Sequence, residues 1–287
     1  MGKQQPTPSS DGASNRAPPQ RVSGVLRLAV GLLLTPCAVV LAEWTLPALQ
    51  VRSSSASVIA FAGAAGVSIV GLAIAASAEV ALGLALGVAG LAFLALLLLA
   101  VAEPAPGVAL PLVDAALVCL AWALGTSLGR RVQHVAHLFP ACVVAASADL
   151  VSLVSPEGPS HAIAESERAL SVLAVWFPVP ASNAVAPALG VGDLLFMALV
   201  FGVARAHALP YARVVACCAL GVALAGVAAA WLGVAVPALV PIAVVVIGGL
   251  PAVRRLRPAD RKAAHWSMLI AGTIAVATIA RGFLASH

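Results

Sequence analysis

The chain has 287 residues, of which 62% are hydrophobic and only 9% charged, against roughly 25% charged in an ordinary soluble domain. That deficit excludes a water-soluble globular protein, and the high hydrophobicity excludes disorder over most of the length. Sixteen Lys and Arg against eleven Asp and Glu leave a net charge of +5. The basic residues lie between long apolar runs, where they report membrane topology rather than nucleic-acid binding.

Residues 1–23 are polar and rich in Pro, Ser, Gln and Gly, and read as a disordered tail. The apolar run that follows reads as an uncleaved signal-anchor. A membrane span needs about 20 apolar residues. On that scale nine runs qualify, at roughly 24–43, 57–77, 79–102, 108–129, 135–154, 188–206, 212–233, 237–253 and 264–283. The predicted fold class is therefore an all-α polytopic membrane protein of about nine transmembrane helices. Its parts are a four-span bundle at 24–129, a membrane core at 130–253, and a basic loop with an extra C-terminal span at 254–287.

The core contains one longer connection, 155–187. It opens on the turn signal Ser155-Pro156-Glu157-Gly158-Pro159. Ala162–Trp176 then separates Glu165, Glu167 and Arg168 from Ile163, Leu170, Val172 and Leu173, as an interfacial amphipathic helix would. Trp44, Trp176, Trp231 and Trp266 stand at or near span ends, as aromatic anchors do. The five cysteines lie inside apolar runs and read as buried hydrophobes. His134 and His137 form an HxxH without a third ligand, so an interfacial basic cluster is expected there, with no metal and no cofactor.

Basic residues also give orientation. Arg16, Arg21 and Arg27, then Arg130 and Arg131, Arg205 and Arg213, and the cluster Arg254–Lys262 all fall on one side of nine spans. The other side carries mostly glutamates. The positive-inside rule thus predicts the N-terminus inside and the 155–187 connection outside, for a multi-pass protein of the cytoplasmic (inner) membrane.

Ionisable residues within spans are unfavourable and point to function. Asp149 lies near the end of the fifth run and Asp193 near the start of the sixth. Consecutive spans share a side, so both carboxylates are expected roughly 7–8 Å below the same surface at 1.5 Å per residue. Asp114, near the start of the fourth run, reads as structural. Gly190 and Gly192 precede Asp193 and leave room for a close backbone approach. Pro237-Ala238-Leu239 opens the eighth run on that same side, and its proline is expected to leave unpaired backbone groups beside a cavity. The same tripeptide recurs at Pro47-Ala48-Leu49 and Pro187-Ala188-Leu189, so only the position of the third copy gives it weight.

In this order, an aspartate ending one span, Gly-x-Gly-Asp opening the next and Pro-Ala-Leu two spans later, the chain resembles the presenilin and signal peptide peptidase family of intramembrane aspartyl proteases. The stretch from Asp149 to Pro159 is similar to the presenilin segment after its first catalytic aspartate. The resemblance covers about 135–253. It implies a presenilin-like bundle, Asp149 and Asp193 as the catalytic pair, and Gly190, Gly192, Pro237, Ala238 and Leu239 as substrate-positioning elements. The partners it implies are the lipid bilayer and transmembrane segments of other proteins. The family's tyrosine before the first aspartate is Ala148 here. Composition alone leaves two other readings open, a small proton-coupled transporter and a catalytically silent membrane scaffold.

Overall fold

The computed structural model describes residues 20–46, 53–102, 106–155, 158–180, 182, 184–232 and 236–285. The expected tail up to residue 19, the Pro47-Ala48-Leu49 copy and the Pro156-Glu157 step of the turn lie outside them. In chain order the elements are α1 (Gln20–Thr45), α2 (Ser53–Ala76), α3 (Leu82–Ala102), α4 (Pro106–Arg131), α5 (Leu138–Val154), α6 (Pro159–Glu165) and α7 (Glu167–Leu173). The strands β1 (Ala174–Pro178) and β2 (Val185–Gly190) follow, then α8 (Val191–Ala206), α9 (Tyr211–Leu232), α10 (Leu239–Gly249) and α11 (Pro258–Ala285).

Each of the nine predicted runs falls on a helix, α1 to α5 and α8 to α11. Six helices among the described residues, α1 to α5 and α9, are long and apolar enough to cross a membrane. The chain is thus a predominantly helical membrane protein. Of the other three, α11 carries a shorter apolar stretch, Ala264–Thr278, and α8 and α10 are short for local reasons. α8 has 16 residues because the start of the sixth run is taken into β2. α10 has 11 because Pro237-Ala238 precedes it and Pro251 follows it. Such short helices suit positions enclosed by protein, where neighbours satisfy the freed backbone groups. α3, apolar along its whole length, leaves Leu84, Leu91, Phe93 and Leu98 exposed, as a lipid-facing surface would.

Two further expectations change. α1 reaches back to Gln20, so residues 20–23 are helical rather than part of the tail. The predicted amphipathic helix 162–176 is instead two short helices, α6 and α7, followed by β1. Ser166 divides them: its extended backbone ends α6, and its side chain caps α7 by accepting from the Ala169 N–H at 3.2 Å. β1 pairs with β2 in an antiparallel hairpin, from Ala174 opposite Gly190 to Pro178 opposite Val185.

The core is built around α4 and α8, which pack more extensively than any other pair of elements. A methyl group added at Gly125, Gly129 or Gly202 would collide with the facing backbone, so bare glycines let the two helices touch. Trp122, Phe201, Met197 and Leu117 are fully buried around this crossing. The C-terminal end of α2 is secured by side chains from three other helices. Arg130 donates to the carbonyls of Ala76, Ala78 and Val80, Arg205 to Ser77, and the Tyr211 hydroxyl to Ala73. Ala76 and the three carbonyls just past the helix end gain side-chain donors, Ala73 O accepts from Tyr211 beside its bond from the Ser77 N–H, and the two guanidinium charges sit at the negative end of the helix dipole. Two of the basic residues between apolar runs, Arg130 and Arg205, therefore also lock the bundle.

Cys142, Cys217 and Cys218 are buried as expected, while Cys37 is exposed on α1. Trp44, Trp231 and Trp266 are exposed, but Trp176 is a half-buried residue of β1 whose ring N–H donates to Leu170 O. It is not an anchor at a helix end. His134 caps and His137 ends a 3-10 turn, Val135–His137, ahead of α5, with their rings edge to face at 6.1 Å.

Candidate functional site

Asp149 lies on the last turns of α5, which runs to Val154. Asp193 is the third residue of α8. The expected depth of Asp193 inside a regular span is therefore corrected: the residues before it are strand, and it stands at a helix N-terminus. The local sequence explains this. Gly190 is the N-cap, with extended backbone at φ −78° and ψ 159°. The Asp193 carboxylate reaches back to accept from the Gly190 N–H at 3.1 Å. That is one arm of a capping box, the other being impossible for a glycine N-cap. The Gly-x-x-Asp spacing at 190–193 is thus a helix-start signal as well as part of Gly-x-Gly-Asp.

Pro237-Ala238 leads into α10, whose first helical residue is Leu239. The expectation of unpaired backbone groups there does not hold for three donors. Leu239 N–H donates to Asp149 Oδ2 at 3.2 Å. Val240 N–H turns to Pro237 O at 3.4 Å and Ile242 N–H to Ala238 O at 3.2 Å. Pro241 has no N–H to satisfy. Asp149 is in effect the N-terminal cap of α10, supplied from α5.

These three chain segments meet at one cavity of about 600 Å³. It is lined by Asp149, Asp193, Gly190, Gly192, Pro237, Ala238 and Leu239, the residues that the resemblance singled out as catalytic or substrate-positioning. The remaining wall comes from α2, α5, α6, α7, β1, β2, α8 and α9, and it is apolar. Among the described lining residues, the two aspartates carry the only polar side chains. Both are half-buried, and the Asp149 charge acts on Asp193 across the cavity.

The two glycines differ from those of the α4–α8 crossing. A methyl group at Gly192 would meet nothing within 4 Å, and one at Gly190 would lie 3.6 Å from Asp193 Oδ2, an ordinary contact. The folded chain does not itself require either glycine. The bare backbone faces open cavity.

β2 also borders the cavity, through Pro187, Ala188, Leu189 and Gly190. Its inner edge is paired with β1, and no described strand covers its other edge. Sequence reading missed this strand. The available signal was proline: Phe177, Val179 and Ala186 each precede one, and a residue before proline favours extended backbone. Ala148, at the position of the family's tyrosine, is exposed. No group of three His, Cys, Asp or Glu that could hold a metal occurs among the described residues. No protein-family model, no curated protein and no solved structure matches the chain.

Proposed function

We propose that the chain is an intramembrane aspartyl endopeptidase that hydrolyses peptide bonds within transmembrane segments of other membrane proteins. One observation carries this reading: among the described residues, two aspartates from different helices are the only polar side chains on an otherwise apolar cavity. Hydrolysis by two carboxyls needs one ionised, to take a proton from water, and one protonated, to donate a hydrogen bond to the scissile carbonyl. Like charges facing one poorly solvated space favour that mixed state, as in aspartic proteases that share one proton. Turnover then falls at low pH, where both carboxyls are protonated and no base remains. It falls again at high pH, where both are ionised and no acid remains.

A helical substrate segment must unwind before its amide can be attacked. The edge of β2 that no described strand pairs offers backbone partners to the freed strand, a form of strand addition next to Asp193. Gly190 and Gly192 leave space for it, while Pro237, Ala238 and Leu239 form the facing wall and hold Asp149. The charge pattern supports the N-terminus inside, the 155–187 connection outside and residence in the cytoplasmic membrane.

The test is binding of an inhibitor that mimics the tetrahedral intermediate of aspartyl proteolysis. The expected result is saturable binding to the purified chain, lost in both Asp149→Ala and Asp193→Ala. Binding that survives either substitution, or proton-coupled uptake of an intact solute, speaks against this function and for a transporter.

A further inference from the structure

We propose that Asp114 is a positioning residue. Through the Trp176 N–H it fixes the β1–β2 hairpin to α4 and so sets where Asp193 stands in the cavity. The protease reading above enters only through the turnover part of the test.

Asp114 is fully buried on α4. Its Oδ1 accepts from the Trp176 N–H at 3.0 Å. Its Oδ2 has no hydrogen-bond partner among the described residues. The charged side chain that acts on it is Glu43 of α1. A single main-chain donor needs only one acceptor oxygen. A carboxyl with its second oxygen buried and unpaired is unfavourable at this depth, so stability alone does not account for it.

Its contact lies at a distinctive point of the hairpin. Pairing runs from Ala174 opposite Gly190 and Val175 opposite Leu189, then skips to Trp176 opposite Pro187. Ala188 is the extra residue of a bulge, a feature that bends a strand and re-aims its neighbours. At that break the Trp176 N–H turns to α4. Asp114 is the acceptor the structure gives this half-buried donor.

The links continue to Asp193. Ala174 of β1 pairs with Gly190, and the Gly190 N–H is held by Asp193 Oδ2. α4 and α8 run parallel, with Gly125 against Leu195 and Gly129 against Leu199 and Gly202. The glycine crossing grips the body of α8. Asp114, earlier on the same helix, grips the hairpin that leads into its first residue. α4 thus holds both ends of the segment carrying Asp193.

The experiment uses the full chain in lipid nanodiscs, as wild type, Asp114→Asn and Asp114→Leu. It reads turnover of a single-span substrate together with residue-resolved amide exchange. Asn keeps an acceptor oxygen, so its kcat, KM and hairpin exchange are expected within about twofold of wild type. Leu removes the acceptor: kcat is expected to fall about tenfold with KM within about twofold. Exchange should then rise in 174–178 and 185–190 and stay unchanged across the α4–α8 crossing. Asn behaving like Leu overturns the proposal, as does Leu leaving hairpin exchange unchanged or loosening the crossing equally. If the Leu variant does not fold, the Trp176 amide of the wild-type chain decides. Protection equal to the β1 amides bonded to β2 supports the proposal, and open-loop exchange overturns it. If wild type cuts no substrate, the protease reading fails while the exchange results still judge Asp114.

Discussion

Leu239 gives its backbone N–H to Asp149 Oδ2 at 3.2 Å, so a cavity-lining carboxylate on α5 also terminates α10. Chemistry and architecture are separable at this residue. Asp149→Asn keeps an acceptor oxygen for the N–H, whereas Asp149→Ala removes it. The alanine variant is expected to be less stable than the asparagine variant by about 1 kcal/mol, the usual worth of an N-terminal cap. Both should be inactive. Thermal unfolding in detergent beside a cleavage assay reads the two effects independently.

Gly192→Ala tests whether the space beside Asp193 is kept for substrate. The added methyl meets nothing in the folded chain, and replacing Gly by Ala in a helix is favourable by roughly 0.5–1 kcal/mol. Stability should therefore hold or rise while cleavage drops. A variant that is fully active and fully stable would show that substrate does not approach there.

The α4–α8 crossing makes the opposite prediction for a glycine. Gly129→Ala and Gly202→Ala press a methyl into facing backbone and should each destabilise by about 1–3 kcal/mol, as overpacking does. Gly83→Ala on α3 projects into open space and should be neutral or slightly stabilising. Unfolding midpoints of the three variants in one detergent check the contrast.

α8 ends in a Schellman turn, with Leu209 N–H on Ala204 O at 2.9 Å. Its left-handed residue is Ala208, at φ 49°. An L-residue with a side chain is disfavoured in that region by roughly 1–2 kcal/mol. Ala208→Gly is expected to raise the unfolding midpoint without altering the cavity, which lies at the other end of the helix. A lowered midpoint would contradict this account of the turn.

Hydropathy made the helices legible because an apolar run in lipid needs a hydrogen-bonded backbone, and the helix supplies it locally. The candidate site was legible through scarcity. With few charges in the chain, Asp149 and Asp193 stood out, and consecutive spans had to bring them to one side. The hairpin was not legible, because Ala174–Pro178 and Val185–Gly190 are short apolar runs without alternation, which periodicity cannot tell from helix. Nor was the pairing of Asp114 with Trp176, since two residues 62 positions apart meet only after the hairpin has formed. The donors around Pro237 were misjudged for a related reason. Their acceptor, Asp149, comes from another helix, and a proline motif by itself does not say what faces it.

The central claim is that Asp149 and Asp193 together cut a peptide bond. Its most direct test is a purified chain reconstituted in liposomes with a single-span substrate, the fragments identified by mass spectrometry. Wild type should cut within the membrane segment, and Asp149→Asn and Asp193→Asn should each abolish cutting while folding normally. Cleavage that continues at the wild-type rate in either variant would contradict the account.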